Sequence, residues 1–216
     1  MIYNIVMELI EALKETYGYS VPIFLKDLRF GHKSKTAIRK ELSRAAIRGE
    51  ICRKSSGVYY LSEDKEIPST ISFEEIVEKK FVKDDYGFPG LNLDVYGYYT
   101  GLAFLNQIGI SQQVPAVLEI VTNKTSCKRY YCACGFKALL RKGKIQINRF
   151  NYKALQFFDM FYLLSDEEVK KYSSIIYSYI EKNLSSDDFE KYVGLYDGRV
   201  LKLIVEGGFL RAFRHN

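Results

Sequence analysis

The sequence predicts an α+β chain: an N-terminal winged helix-turn-helix, followed by a mixed α/β domain that ends in a helical tail. Three observations carry this. Residues 34–61, SKTAIRKELSRAAIRGEICRKSSGVYYL, read as a short basic helix followed at once by a hairpin. Helical spacing dominates both ends of the chain, whereas short strand-like runs occupy the middle. Between the first region and the rest lies an acidic stretch with Pro68 and no clear period. The expected division is a winged helix over residues 1–62, a linker over 63–71 and the α/β domain over 72–216.

The first element is an amphipathic helix over residues 2–16, with Ile2, Ile5, Val6, Leu9, Ile10 and Leu13 at helical spacing. Glu8 and Glu11 interrupt its apolar pattern and no basic segment precedes it, so it reads as a helix rather than a signal peptide. A second helix is expected after Val21-Pro22, since proline is tolerated in a first turn. It would run through Ile23, Phe24, Leu25 and Leu28 and end near Gly31. In the third, basic helix, Ile38, Leu42, Ala45 and Ala46 share one side. Thr36, Lys40, Ser43 and Arg44 share the other, with Arg39 on the flank. Gly49 stops this helix where a left-handed residue is wanted. Strands over 50–53 and 58–61 would flank the turn Lys54-Ser55-Ser56-Gly57. Ile10, Leu13, Phe24, Leu28, Ile38 and Leu42 would bury against Val58 and Tyr60, at roughly 1.5–3 kcal/mol per large side chain.

Beyond the linker, Ser72 and Glu75 form a capping box that opens a helix through Ile76, Val77 and Phe81. Residues 86–90, YGFPG, read as a turn. Residues 98–108 read as a buried helix, with Gly97 and Gly101 marking close backbone approach. Strands are expected over 114–121, 130–134 and 145–150, with 139–143 as a connection. Alternation in 127–134 would put Cys132 and Cys134 on one buried face. Residues 151–164 are helical and aromatic. Ser165 with Glu168 is a second capping box, followed by Val169, Tyr172, Ile175, Ile176, Tyr179 and Ile180 at helical spacing. Two more helices are expected over 187–195 and 198–213.

The chain has 216 residues and a formal charge of +6, which suggests an anionic partner. The charge is uneven. Residues 26–54 hold ten Lys/Arg against three acids, Asp27, Glu41 and Glu50, and residues 120–153 hold nine and none. Such faces are often merely solvated, but here the charge is one-signed rather than paired. No run of eighteen apolar residues occurs, so no membrane span is expected. The four cysteines Cys52, Cys127, Cys132 and Cys134 are expected as reduced thiols in a cytoplasmic protein. The C-x₄-C-x-C spacing of Cys127, Cys132 and Cys134 does not match the usual zinc patterns, and His32 and His215 are far off. Neither a metal nor a cofactor is expected.

The segment GYYTGLAFLNQIGISQQVPAVLEIVTNK (residues 97–124), preceded by a basic helix and a hairpin ending in GVYYL (57–61), resembles the AbiEi family of abortive-infection antitoxins. The likeness spans about residues 19–164, and its motifs are specific only in combination. Ala45 and Ala46 depart from it, standing where a larger apolar residue is common on such helices. The resemblance implies a type IV toxin–antitoxin protein. It would bind inverted repeats of double-stranded DNA upstream of its own operon through the winged helix and repress that operon. Its C-terminal domain would counteract a nucleotidyltransferase-type toxin.

The residues matching the DNA-reading helix are Lys35, Thr36, Arg39, Lys40, Ser43 and Arg44. The wing candidates are Arg53, Lys54, Ser55 and Ser56. A helix fits the major groove, and arginine suits a bidentate guanine contact. The second basic run comprises Lys124, Lys128, Arg129, Lys137, Arg141, Lys142, Lys144, Arg149 and Lys153. It would serve as a further DNA-backbone surface, as a docking face for an acidic toxin or that toxin's nucleic acid, or simply as a solvated sheet face.

Other readings stay open. Asp94, Glu119 and Lys124 are the residue types that metal-dependent nucleases use, two carboxylates and a lysine. But Glu119-Ile120-Val121 lacks a lysine two residues on and Asp94 sits in a loop-like stretch, so no catalytic residue is expected, and this alternative is an inactive restriction-endonuclease-like protein. The aromatic density at 96–104 and 157–162 would suit a transcription factor whose second domain senses a ligand.

Overall fold

The computed structural model of the protein describes residues 2–31, 33–64, 70–84 and 94–213. His32, His215, the turn expected at 86–90 and the central part of the linker lie outside the described residues. The chain is α+β and divides into two compact units. One comprises Met1–Lys80, Asp84–Asn92 and Ala133–Gly135; the other comprises Phe81–Lys83, Leu93–Cys132 and Phe136–Asn216.

The first unit opens with helix α1 (Ile2–Tyr17). The helix expected next does not form. Ile23–Phe24 is a short strand, β1, which pairs antiparallel with Val58 and Tyr59. Positive φ at Ser20 (55°) and Gly31 (52°) brackets the segment and leaves little length for a helix. Ile23 and Phe24 are 0% and 5% exposed, so both sides of the strand are buried and no helical stripe is needed.

Helix α2 (Lys35–Ile47) is capped at both ends by its own sequence. Ser34 accepts from the Ala37 amide. Gly49, at φ 72°, closes the other end: its amide donates to Ala46 O, and the Glu50 amide donates to Ala45 O. This pair of reversed bonds is what a left-handed C′ residue makes possible. Strands β2 (Cys52–Ser55) and β3 (Val58–Tyr60) follow, and the sheet order is β1-β3-β2. A register shift between Arg53 and Ser55 places a bulge at the hairpin end. The core joins Leu9, Ile10 and Leu13 of α1 to Ile38, Leu42 and Ala45 of α2 and to Ile23, Ile51, Tyr59 and Leu61. Helix α3 (Phe73–Val77) starts at the capping box of Ser72 and Glu75 and passes into one π-helical turn, Glu78–Val82.

Short strands β4 (Lys83–Asp84) and β5 (Asp94–Val95) pair with each other. The second unit is built on a four-stranded sheet of order β6-β7-β9-β8, formed by Gly97–Thr100, Val117–Thr122, Phe136–Arg141 and Arg129–Ala133 respectively. The expected helix over 98–108 is thus a strand that turns into the shorter helix α4 (Gly101–Gln107). Glycine is required at both ends of that strand. A Cβ on Gly97 would collide with the Phe81 carbonyl, and Gly101 lies at φ 66° against the Glu119 side chain.

Leu139 and Leu140, expected in a connection, sit instead in β9, which runs parallel to β7 with Ile120 opposite Leu140. Ile120 and Leu140 are fully buried, as an interior strand requires. The strand expected over 145–150 is absent. There the Asn123 side chain donates to Ile147 O at 2.7 Å and accepts from the Ile147 amide at 3.0 Å. One amide side chain thereby does what a neighbouring strand would have done. The shared buried cysteine face is also corrected. Cys132 is exposed, and Cys134, at φ 55°, forms with Gly135 the two-residue turn between β8 and β9.

Six helices complete the described part of the unit: α5 (Tyr152–Met160), α6 (Asp166–Lys171), α7 (Ser173–Asn183), α8 (Ser186–Tyr192), α9 (Gly198–Glu206) and α10 (Leu210–Phe213). The run expected as one helix after Ser165 breaks at Tyr172 (φ −102°, ψ 17°). A break at Gly207 and Gly208, the latter at φ 75°, separates α9 from α10. Their core is aromatic. Phe157 meets Phe158, Phe161 and Phe213 edge to face at 5.2–5.8 Å between ring centres.

Candidate nucleic-acid interface

Helix α2 buries one side and presents the other. Ile38, Leu42 and Ala45 are at most 1% exposed. Lys35, Thr36, Arg39, Lys40 and Arg44 are exposed and Ser43 is half-buried. The Ser34 cap and the Gly49 stop fix the length of this helix, so the spacing of the outward residues follows from the sequence.

The charge on this face follows from how the acids nearby are used. Each of the three acids in the stretch pairs with a base off the presented face. Lys26 lies 3.9 Å from Asp27, Lys33 lies 3.0 Å from Glu41, and Arg48 lies 2.7 Å from Glu50. Lys35 donates to the Lys26 carbonyl at 3.2 Å. Among the described residues, Arg39, Lys40, Arg44, Arg53 and Lys54 form no ion pair. Among the described residues, these five charges are therefore left without a counter-charge, a state that favours an anionic ligand over intramolecular pairing. On the hairpin, Arg53 and Ser56 are exposed, while Lys54 and Ser55 are half-buried.

One further outward residue is not among those expected from the sequence. Ile47 ends α2 at 86% exposure. Its spacing of four and seven from Ser43 and Lys40 is the signal that could have found it.

The second basic run is distributed over several elements rather than gathered on one. Lys128, Arg129, Lys137 and Lys142 are exposed, and Arg129 donates to Thr125 Oγ1 at 3.1 Å. Lys137 and Arg141 alternate with the buried Ala138 and Leu140 along β9. Lys124 sits 4.2 Å above the Tyr96 ring and Arg149 4.6 Å above Phe150. Arg141 forms an ion pair with Glu119, which occupies one of the two carboxylates considered for nuclease chemistry. Lys153 is half-buried near the Tyr152 and Tyr179 rings. Burial lowers its pKa, and the charge of Lys83 lowers it further.

Lys144 lies 4.9 Å from the Tyr196 ring centre, over a polar cluster inside the second unit. There the Tyr98 hydroxyl donates to Asp159 Oδ2 at 2.8 Å. Burial raises the Asp159 pKa against the opposing pull of Tyr98, Tyr196, Lys144 and Arg141. Burial, and then the Asp159 charge, raise the pKa of both tyrosines. In the first unit, burial and a bond to Cys52 push the Tyr60 pKa up to about 12.

No family model, curated protein or solved structure matches this chain. Among the described residues, no three His, Cys, Asp or Glu gather as a metal group would, and no helix is long and apolar enough to cross a membrane. A cleft of about 290 Å³ is bounded by Ile10, Lys14, Tyr19, Ile51 and Leu61; another, of about 380 Å³, by Ile108, Ile175, Ser178 and Tyr179.

Proposed function

We propose that this protein is a winged-helix DNA-binding autorepressor and antitoxin. Helix α2 lies in the major groove of double-stranded DNA, and the β2–β3 hairpin acts as the wing. The observation that carries the DNA-binding half is the charge of Arg39, Lys40, Arg44, Arg53 and Lys54, without an ion pair among the described residues and next to acids that are each engaged elsewhere. A capped helix of 13 residues is about 20 Å long, enough to follow the groove across one half-site. A basic helix joined by a tight turn to a basic hairpin is the arrangement such proteins use. Arg39 and Arg44 are the candidates for guanine contacts, Lys40 for a phosphate. The antitoxin half, which neutralises a nucleotidyltransferase-type toxin through the second unit, rests on the AbiEi resemblance of about residues 19–164, carried by the segment 97–124 in combination with the basic helix and hairpin. A cytoplasmic setting goes with both halves.

The test is a gel-shift series on the duplex upstream of the chain's own gene, at several salt concentrations. The variant carries Arg39→Ala, Lys40→Ala and Arg44→Ala together. The expected result is loss of specific binding and a shallower salt dependence, by about 0.9 in log–log slope for each phosphate contact removed. A variant that binds like the parent, or a parent with no preference over random DNA, removes α2 from the centre of the function. Co-expression with a nucleotidyltransferase-type toxin tests the second half: growth is restored by the parent chain and not by residues 1–72 alone.

A further inference from the structure

Ile47 stands out on α2 because neither core, cap nor helix propensity accounts for it. The helix buries its other large apolar residues, Ile38 and Leu42, to 1% and 0% exposure, yet leaves Ile47 at 86%. The reversed bonds at Gly49 and Glu50 use the carbonyls of Ala46 and Ala45 and do not involve the Ile47 side chain. A β-branched residue is also a modest helix former. A single exposed apolar residue is ordinary on a protein surface. This one is distinguished by where it lies. Positions 36, 40, 43 and 47 recur at four, three and four residues, so Ile47 shares a face with Thr36, Lys40 and Ser43. Arg44 borders that face without an ionic partner among the described residues.

The major groove of duplex DNA offers one apolar feature, the C5-methyl group of thymine. Ile47 lies about 10 Å along the helix from Lys40 and about 6 Å from Ser43. Building on α2 as a DNA-reading helix, we propose that Ile47 is a specificity-determining residue: it packs against a thymine methyl at the end of the half-site read by the C-terminal turn of α2. Lys40 positions the helix on the backbone, and Ile47 then discriminates a T·A pair from C·G at that place by apolar contact, not by hydrogen bonding.

The probe is the duplex that the parent protein enriches from a random-sequence library. It is resynthesised with each thymine replaced in turn by deoxyuridine, which removes the methyl and nothing else. At one position in each half-site, the parent should lose about fourfold in affinity, the value of burying about one carbon. Ile47→Ala should bind the thymine probe at least fourfold more weakly than the parent and show no further loss with deoxyuridine at that position. Ile47→Val should keep part of the sensitivity. Because Ile47 is exposed, neither change threatens the fold. The inference is overturned if every deoxyuridine probe binds as the thymine probe does. It is equally overturned if Ile47→Ala keeps the parent's deoxyuridine penalty, or if Ile47→Ala instead changes the sedimentation of the free protein, which would make Ile47 a contact between copies. A parent that enriches no duplex fails at the earlier step, DNA binding by α2, and that outcome is distinct from these three.

Discussion

Burial decides the charge balance of Asp159. On α5, beside Tyr98 and Tyr196, its carboxyl pays a desolvation penalty that exceeds what those two hydroxyls and the nearby Lys144 and Arg141 return, so its pKa is raised. An acid whose pKa is higher folded than unfolded holds its proton longer in the folded state. Its contribution to stability falls as pH rises from the unfolded value of about 3.9 through the folded one, and stays lower above that. Asp159→Asn keeps an acceptor for Tyr98 and removes the charge. The urea midpoint of the variant should therefore gain on the parent as pH rises from about 4. A gap that stays flat or reverses would show that the hydroxyls and cations outweigh burial. This pair is not legible in the sequence, because Tyr98 and Asp159 are 61 residues apart. Gly97 is legible: its place beside a tyrosine-rich run marks close backbone approach, and the Phe81 carbonyl fills the space a Cβ would need. Gly97→Ala should cost about 1–3 kcal/mol by overpacking, read as a lower urea midpoint.

At the level of elements, α2 is legible because local chemistry fixes both of its ends. Gly49 holds φ 72°, which any Cβ opposes at roughly 1–2 kcal/mol. Gly49→Ala should lower the stability of the first unit by about that amount, and Gly49→Asn by less, since asparagine tolerates the left-handed region. Thermal melts of the two variants check the order. Where ends are set by distant partners, local spacing misleads. Ile23 and Phe24 form a strand only because β3 offers an edge, and nothing in their own spacing announces Tyr59 and Val58 as partners. Residues 145–150 alternate like a strand, but Asn123 satisfies Ile147 in place of a ladder. Asn123→Leu would remove both bonds and leave the Ile147 backbone groups without those partners. Amide exchange at Ile147 should accelerate in that variant while exchange in β7 and β9 is unchanged. Equal acceleration in the strands would make Asn123 a support of the whole sheet. The candidate interface follows the same pattern. The basic positions of α2 are legible as a helical face. The pairing of Glu41 with Lys33 across eight residues, which leaves that face unpaired, depends on how the chain folds back before α2.

Across the whole molecule, the two units carry separate cores of different chemistry. The first is aliphatic, with Tyr59 its one fully buried aromatic among the described residues, while the second is centred on Phe157, Phe158 and Phe161. The basic helix is held by the first core alone: Ile38, Leu42 and Ala45 of α2 belong to it, and none belongs to the aromatic cluster. Leu42→Ala should therefore cost about 2–5 kcal/mol within the first unit and weaken any function of α2 without touching the interior of the second. Hydrogen exchange provides the test, since it resolves local opening from global unfolding. Amides of α1, α2 and β1–β3 should exchange faster in the variant, and those of α5, α7 and α9 should keep the parent's rates. A uniform rise across both sets would mean that the units unfold as one, and damage to α2's core would then reach the interior of the second unit as well.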